Sequence, residues 1–460
     1  MPASSPEPSL AKLVARAIFI LVLVMLAMFL VKKVGLLRQW EMLGVDSMLR
    51  SVDASSEDVL LVEIDNDNYS HYFNSTSPLD RTCLQRLIIE VARREPKVIV
   101  VDLDVSDKVS PSRRSNCATE KKPEDQALPQ AVAQEMKKLH LDSTVIWAQT
   151  FSRPSKPSER LVLRPREPVP EEQLGIPAFW ADPDGVIRRY MRDIEVDDAG
   201  ACEVWPTLPF AAFAALRDKS EAPKRCRGPV SERDSLYIPF GADATAFTRI
   251  SADQFLEPRQ EPPARKWKGK CVLIGATFEA AREEYFTPAG PISGVWLNAL
   301  ALASEINDTT LHVEEETSVL ILEFIVGLGI SLWFIRVKRG WPIMLGAIAV
   351  ASAAFVLVSY FFLRSINVVL SFMPLILGVV CHLAIDAAID IGPLEKKVEE
   401  LNAELHRLRL DKEELEKHSR AETPIVVNFS AIQTTVVAPP PAQAAPPALS
   451  TPPSPPPERQ

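Results

Sequence analysis

Hydrophobic and polar positions fall into three regimes along the chain. Long uncharged runs lie at residues 17–31 and again between 317 and 385. Between them, short β-branched runs alternate with stretches of helical spacing. Beyond them comes a leucine seam and then a Pro-rich tail. The clearest local pattern runs from Asp58 to Asp107. Val59 to Ile64 is a short apolar run of the kind that forms a strand buried on both faces. Leu84, Leu87, Ile88 and Val91 recur at helical spacing, and Pro96 stops that helix. Val98 to Leu103 is a second buried-type run. Strand, helix and strand in so short a length predict a right-handed crossover whose strands are parallel neighbours.

The pattern continues in the same style. A helical patch at Ala131 to Leu139 precedes a strand from Thr144 to Gln149. Asp182-Pro-Asp-Gly185 is a turn signal, and Val186 to Val196 alternates like an edge strand. Trp205-Pro206 opens an Ala-rich helix to Leu216. Leu236 to Phe240 reads as a short strand ending at Gly241, and Lys270 to Thr277 as a third buried strand. Gly294 to Ile306 reads as an amphipathic helix. The fold class expected is α/β, with a mixed, mostly parallel sheet and helices in a domain over residues 40–316.

The uncharged runs read as membrane helices. Ala17 to Val31 has nearly spanning length. No small-x-small cleavage site follows it, and Lys32 and Lys33 stand where translocation would begin. An uncleaved anchor within residues 1–39 is the expectation. Thr317 to Ile335, Trp341 to Leu363 and Ser365 to Ile385 give three more spans within 317–392. Arg336, Lys338 and Arg339 crowd the loop between the first two of these, so that loop is expected in the cytoplasm. Four spans then put both termini inside and residues 40–316 outside. Glu323, a carboxylate within a span, marks a functional position by default, and Pro374 a kink.

Behind the last span, Leu394, Val398, Leu401, Leu405, Leu408 and Leu415 form an a/d seam. A cytoplasmic coiled coil over 393–420 and a parallel homodimer are expected from it. Residues 421–460 read as a Pro-rich disordered tail, Pro- and Ala-rich from Ala438 onwards, with a short β-prone patch at Ile425 to Val437 near its start.

Charge and composition narrow the chemistry. A net charge of −9 gives no reason to expect nucleic acid as a partner. The six cysteines fit no metal spacing. There is neither a nucleophile elbow nor a His-rich motif, so no catalytic residue, metal ligand set or cofactor is assigned, and binding is favoured over enzyme activity. What remains is a group of carboxylates: Asp65 and Asp67 after the first strand, and Asp102, Asp104 and Asp107 at the second. Ligands of open α/β sheets bind outside the carboxyl ends of the strands. One reading is a cation- or amine-binding cluster, with Asp65 and Asp102 facing one crevice. The other is that these residues cap turns and pair with Arg81 or Arg188. Thr277, in Gly275-Ala-Thr277, either helps cradle an anion at a helix start or closes a tight packing turn. Cys202 and Cys226 are the first disulfide candidates, bracketing a polar loop. Cys83 with Cys117 is the second, which leaves Cys271 free.

The order VEID, VDLDVSD, DPDGVIRRY, WPTLPFAAF, IPFG, KWKGKCVLIGAT and YFTPAGPISGVWLNALALASEI resembles the second type of CHASE domain, over roughly residues 45–310. The resemblance implies an extracellular sensory module of bacterial receptors in the inner membrane. The usual output there is a histidine kinase, a nucleotide cyclase or a protein kinase. Where relatives often carry an aspartate before the Thr-Pro, this chain has Glu283-Glu284, so Glu284 joins the candidates with Arg188 and Thr277. Fewer than 70 residues follow Ile391, too few for those outputs. The expectation is a receptor without its own effector, surrounded by membrane lipid. A small ligand or an envelope protein would bind outside, and a kinase or cyclase would be its cytoplasmic signalling partner. The rival is a non-enzymatic envelope scaffold.

Overall fold

The computed structural model describes residues 38–105, 127–152, 160–163, 169–198, 201–219, 222–226, 235–241, 247–257, 267–313, 341–369 and 397–417, apart from Pro78 and Arg282, with scattered helical positions between 15 and 30 and between 325 and 380. The chain divides into two units, Met1–Ile389 and Asp390–Gln460.

Six strands build the central sheet of the first unit: β1 (Val59–Ile64), β2 (Val98–Asp102), β3 (Thr144–Ala148), β4 (Leu174–Gly175), β5 (Thr248–Ser251) and β6 (Cys271–Ala276). Their order is β5-β1-β6-β2-β3-β4, and every pairing is parallel. The expected neighbours β1 and β2 are therefore parallel but not adjacent, because β6 lies between them. A helix is about 10 Å across, close to two strand spacings, so a crossover that skips one strand seats its helix over both. The gap is filled later in the chain by β6, whose six residues are all buried.

Alternation along β1 sends Leu60, Val62 and Ile64 to one face and Val59 and Leu61 to the other. Helix α1 (Arg38–Arg50) packs on the second face through Val45, Met48 and Leu49. Helix α2 (Arg81–Ala92) covers the first face with Leu84, Leu87, Ile88 and Val91, as their spacing requires. Its cap is Asp80, which accepts hydrogen bonds from the Thr82 and Cys83 amides at 2.9 and 3.1 Å. Helices α3 (Leu208–Leu216) and α4 (Gly294–Ile306) complete the second face. Eleven of the thirteen α4 residues are buried. The expected amphipathic helix is instead enclosed, since its polar residues are spent on interior bonds rather than on a solvent face.

Two boundaries differ from expectation. Val186 to Val196 is not one edge strand: Arg189–Tyr190 and Asp193–Asp198 belong to different sheets. Trp205 and Pro206 do not open a helix but end the strand Ala201–Pro206, and α3 starts after Thr207 with Pro209 in its first turn. The Cys202–Cys226 disulfide ties that strand to its loop, with Cα atoms 5.6 Å apart. Cys83 is also disulfide-bonded, Cys117 lies outside the described residues, and Cys271 is free and buried.

After β6 come the hairpin strands β7 (Glu284–Thr287) and β8 (Gly290–Ser293), then α4, then β9 (Leu311–Val313). Helix α5 (Trp341–Ile366) contains the window Ala349–Ile366, which among the described residues is the one helix long and apolar enough to cross a membrane. The chain was expected to turn at Arg364 and start another span at Ser365. Instead α5 continues through Arg364 to Ile366, and Asn367 reverses it in the left-handed region at φ 54°, which asparagine tolerates. Val368–Val369 then forms strand β10, parallel to β9. The other expected spans lie outside the described residues or touch only scattered ones, and Glu323 and Pro374 are outside them.

In the second unit, residues 397–417 form a helix that exposes Val398, Leu401, Leu405, Leu408 and Leu415. Leu394 and residues 421–460 are outside the described residues.

Candidate functional site

The carboxyl edge of the central sheet gathers a set of acceptors around Asp102. The residue ends β2 and pairs in register with Gly275 of β6. Gly275 is where α4 leans on the sheet: a Cβ built there would meet the Val295 side chain at 2.6 Å. That contact brings the start of α4 over Asp102, and the Asn298 Nδ2 donates to Asp102 Oδ2 at 2.8 Å. Asp102 is 7% exposed and Asn298 2%. Burial pushes the Asp102 carboxyl up to about 6, with the Asn298 amide pulling it partly back.

Glu283 enters from the hairpin. Its backbone carbonyl accepts from the Gly294 amide at 3.0 Å. A Cβ on Gly294 would lie 3.2 Å from Tyr285 Cε2 and 3.5 Å from Glu283 Oε2, so the bare glycine leaves room for both side chains. Burial first, then the charges of Asp102 and Asp104, push the Glu283 carboxyl up to about 7. The residue keeps over a third of its surface in solvent even though protein packs round its carboxyl. Screening therefore weakens the coupling without changing its direction. Two further polar atoms are buried and lack a hydrogen-bond partner among the described residues: Asn298 Oδ1 on α4 and the hydroxyl of Ser293, at the N-cap of that helix.

The other sequence candidates are placed as follows. Asp65 is separated from Asp102 by β6. It caps the short helix Asn66–His71, accepting from the Asn68 amide at 2.8 Å and from Ser251 Oγ at 3.2 Å. Asp67 is exposed in the first turn of that helix, Asp104 is exposed beside the site, and Asp107 lies outside the described residues. The Thr277 amide and hydroxyl both bond the Ile64 carbonyl, at 2.9 and 3.5 Å, and Gly275 packs on Val295, which is the geometry of a packing turn. Glu284 is exposed on β7, one residue from the carboxylate that does join Asp102.

Arg188 is buried elsewhere, bonded to Asp46 at 2.6 Å, Asp182 at 3.0 Å and Asp184 at 2.7 Å. Asp46 belongs to α1, so this cluster fastens α1 to the Asp-Pro-Asp-Gly turn. Asp184 is held below the usual carboxylate range, chiefly by its Arg188 hydrogen bond. Two more pairs clamp α4. Arg249 and Trp296 both donate to Glu63, at 2.7 to 2.8 Å. Arg192 donates to Glu305 at 2.7 and 2.8 Å, and Tyr190 bonds the same carboxylate.

Sequence reasoning missed Asn298 and Glu283. The first carries no motif, while the second stood in the departure noted before Thr287-Pro288.

A model of the CHASE2 domain matches residues 19–336. No curated protein and no solved structure matches the chain. The matched stretch covers over two thirds of the chain and holds the whole acidic edge, the Arg188 cluster and α4, so the chain belongs to the CHASE2 family of extracellular sensory domains.

Proposed function

We propose that the protein is a multi-pass transmembrane receptor of the bacterial inner membrane. Its domain over residues 40–316 faces outside and takes up a small ligand at the acidic edge. Its membrane helices and cytoplasmic helix pass the change to a separate partner such as a kinase or cyclase. The role is binding, not catalysis.

The observation that carries this reading is the pairing of β9 with β10. Helix α4 starts at the acidic edge, runs about 20 Å, is held at Glu305 near its end, and leads into β9. Strand β10 follows directly on α5. A shift of α4 thus has a hydrogen-bonded route to a membrane-length helix. A second contact supports it: Ser47 of α1 lies 3.2 Å from the Tyr360 hydroxyl of α5, and α1 is fastened by Arg188. The pairing also favours an α5 whose C-terminal end is on the sensor side, in keeping with a cytoplasmic Arg336–Arg339 loop.

Reporter fusions or cysteine labelling test the arrangement. Ser158 should report outside and Arg420 inside. An inside signal at Ser158 would overturn it.

A further inference from the structure

Among the described residues, acceptors dominate the Asp102 edge. Asp102 spends one carboxylate oxygen on the Asn298 amide, which draws its proton affinity down against the effect of burial. Among the described residues, the charges that act on Glu283 are those of Asp102 and Asp104, both of like sign. Asn298 Oδ1, on the same amide that faces Asp102, is buried without a donor among the described residues. A buried unpaired acceptor is costly, and carboxylates held together raise each other's proton affinity. A ligand that brings positive charge and N–H donors together answers both. The sheet's carboxyl end is where such a ligand has access.

Two kinds of cation fit acidic edges, and the spacing separates them. Oxygens on one metal ion lie about 2.0 to 2.6 Å from it and so crowd one another. Among the described residues, the trio of His, Cys, Asp or Glu whose ligand atoms fall within 4.8 Å of one another is Glu195, Cys202 and Cys226. Two of those are consumed in the disulfide. Asp102, Asp104 and Glu283 do not converge that tightly. An ammonium nitrogen donates across about 2.7 to 2.9 Å in three directions, which tolerates a wider triangle.

We infer that Asp102, Glu283 and Asn298 Oδ1 bind the ammonium group of an organic amine. Asp104 adds charge at the mouth, and the Tyr285 ring against Gly294 borders the path of the amine's carbon chain. The assignment rests on the receptor reading and names the class of its external ligand.

The full chain in detergent micelles tests it by thermal unfolding in mildly alkaline buffer, where both carboxylates are ionised. Methylammonium, putrescine and spermidine are titrated separately, with tetramethylammonium, Mg²⁺ and Ca²⁺ as parallel arms. At least one N–H-bearing amine should give a saturable rise in Tm, while tetramethylammonium, which has no N–H, should give none. Glu283→Gln, at a solvent-facing position, and Asp102→Asn, which keeps the shape, should each weaken that amine about tenfold or more while still unfolding cooperatively. No shift with any amine overturns the inference. So does an unchanged response in both variants, or a response to Mg²⁺ or Ca²⁺ that the amines do not match. Because binding is read without any relay across the membrane, failure here removes the ammonium assignment and leaves the receptor reading to the reporter fusions.

Discussion

Asn298 on α4 donates to Asp102 at the end of β2 across 2.8 Å, a bond between residues 196 positions apart. It ties the charge state of a sheet edge to a helix that begins at that edge.

Asp102 should make stability depend on pH with a definite sign. Its folded-state value of about 6 stands above the ordinary 3.8, so the native protein holds this proton more firmly than the unfolded chain. The contribution is fully present below about 3.8 and is lost as pH rises through about 6. Asp102→Asn removes the charge without changing shape. It should leave the full chain about 1–3 kcal/mol more stable than the parent at neutral pH, with the gap closing on acidification. Urea unfolding at several pH values measures it, and a constant difference between the two proteins would contradict it. Such a variant would be more stable and yet impaired in amine binding, as expected where a strained site serves function.

Arg188 carries three carboxylates with 2% of its side chain exposed. Arg188→Met leaves the part-buried Asp46 without its cation and takes from the buried Asp182 one of its two, Arg189 being the other, and should cost about 3 kcal/mol. Arg188→Lys keeps the charge but loses the forked geometry, so it should fall between the two. The midpoint of denaturant unfolding distinguishes these orders, and a neutral effect of the methionine variant would remove the cluster's structural role.

The contact of Gly275 with Val295 leaves no space for a methyl group. Gly275→Ala should destabilise by about 1–3 kcal/mol, and Val295→Ala in the same chain should recover part of the loss. Additivity of the two changes in a double-mutant cycle would show that the contact is not limiting.

The exposed seam of residues 397–417 should pair with a second copy of itself. Cysteines at Leu401 and Leu405 should crosslink between chains, and one at Glu400 much less. Tethering at the membrane raises the effective concentration of two such short helices. Equal crosslinking at all three positions, or none, would exclude a dimeric coil.

The hydrophobic code carried the elements of the central sheet well. Val59–Ile64 and Cys271–Ala276 are buried at every position, and no polar alternation competed with that reading. The order of strands was not legible, because nothing in β1 or β2 says that a strand from far later in the chain will lie between them. Asp65 and Asp102 both sit at strand ends in the sequence, yet Asp65 satisfies a local amide while Asp102 meets a helix 196 residues away. Local spacing reveals the first kind of partner and not the second. For the same reason Asn298 was invisible: one asparagine in an apolar helix acquires meaning only from what faces it. The Cys202–Cys226 bridge, by contrast, followed from two cysteines bracketing one polar loop.

The pairing of β9 with β10 also fixes an order of assembly. Leu311–Val313 has Leu236–Tyr237 on one side, but its other edge stays bare until synthesis has reached Val369. The small sheet that holds β9 is therefore finished by a piece of chain that follows directly on α5. A fragment cut before α5 would present an open strand edge, which invites pairing with other chains. On the proposed receptor reading, completion of this fold and insertion of α5 would be coupled, and a misinserted chain would carry an unfinished strand edge.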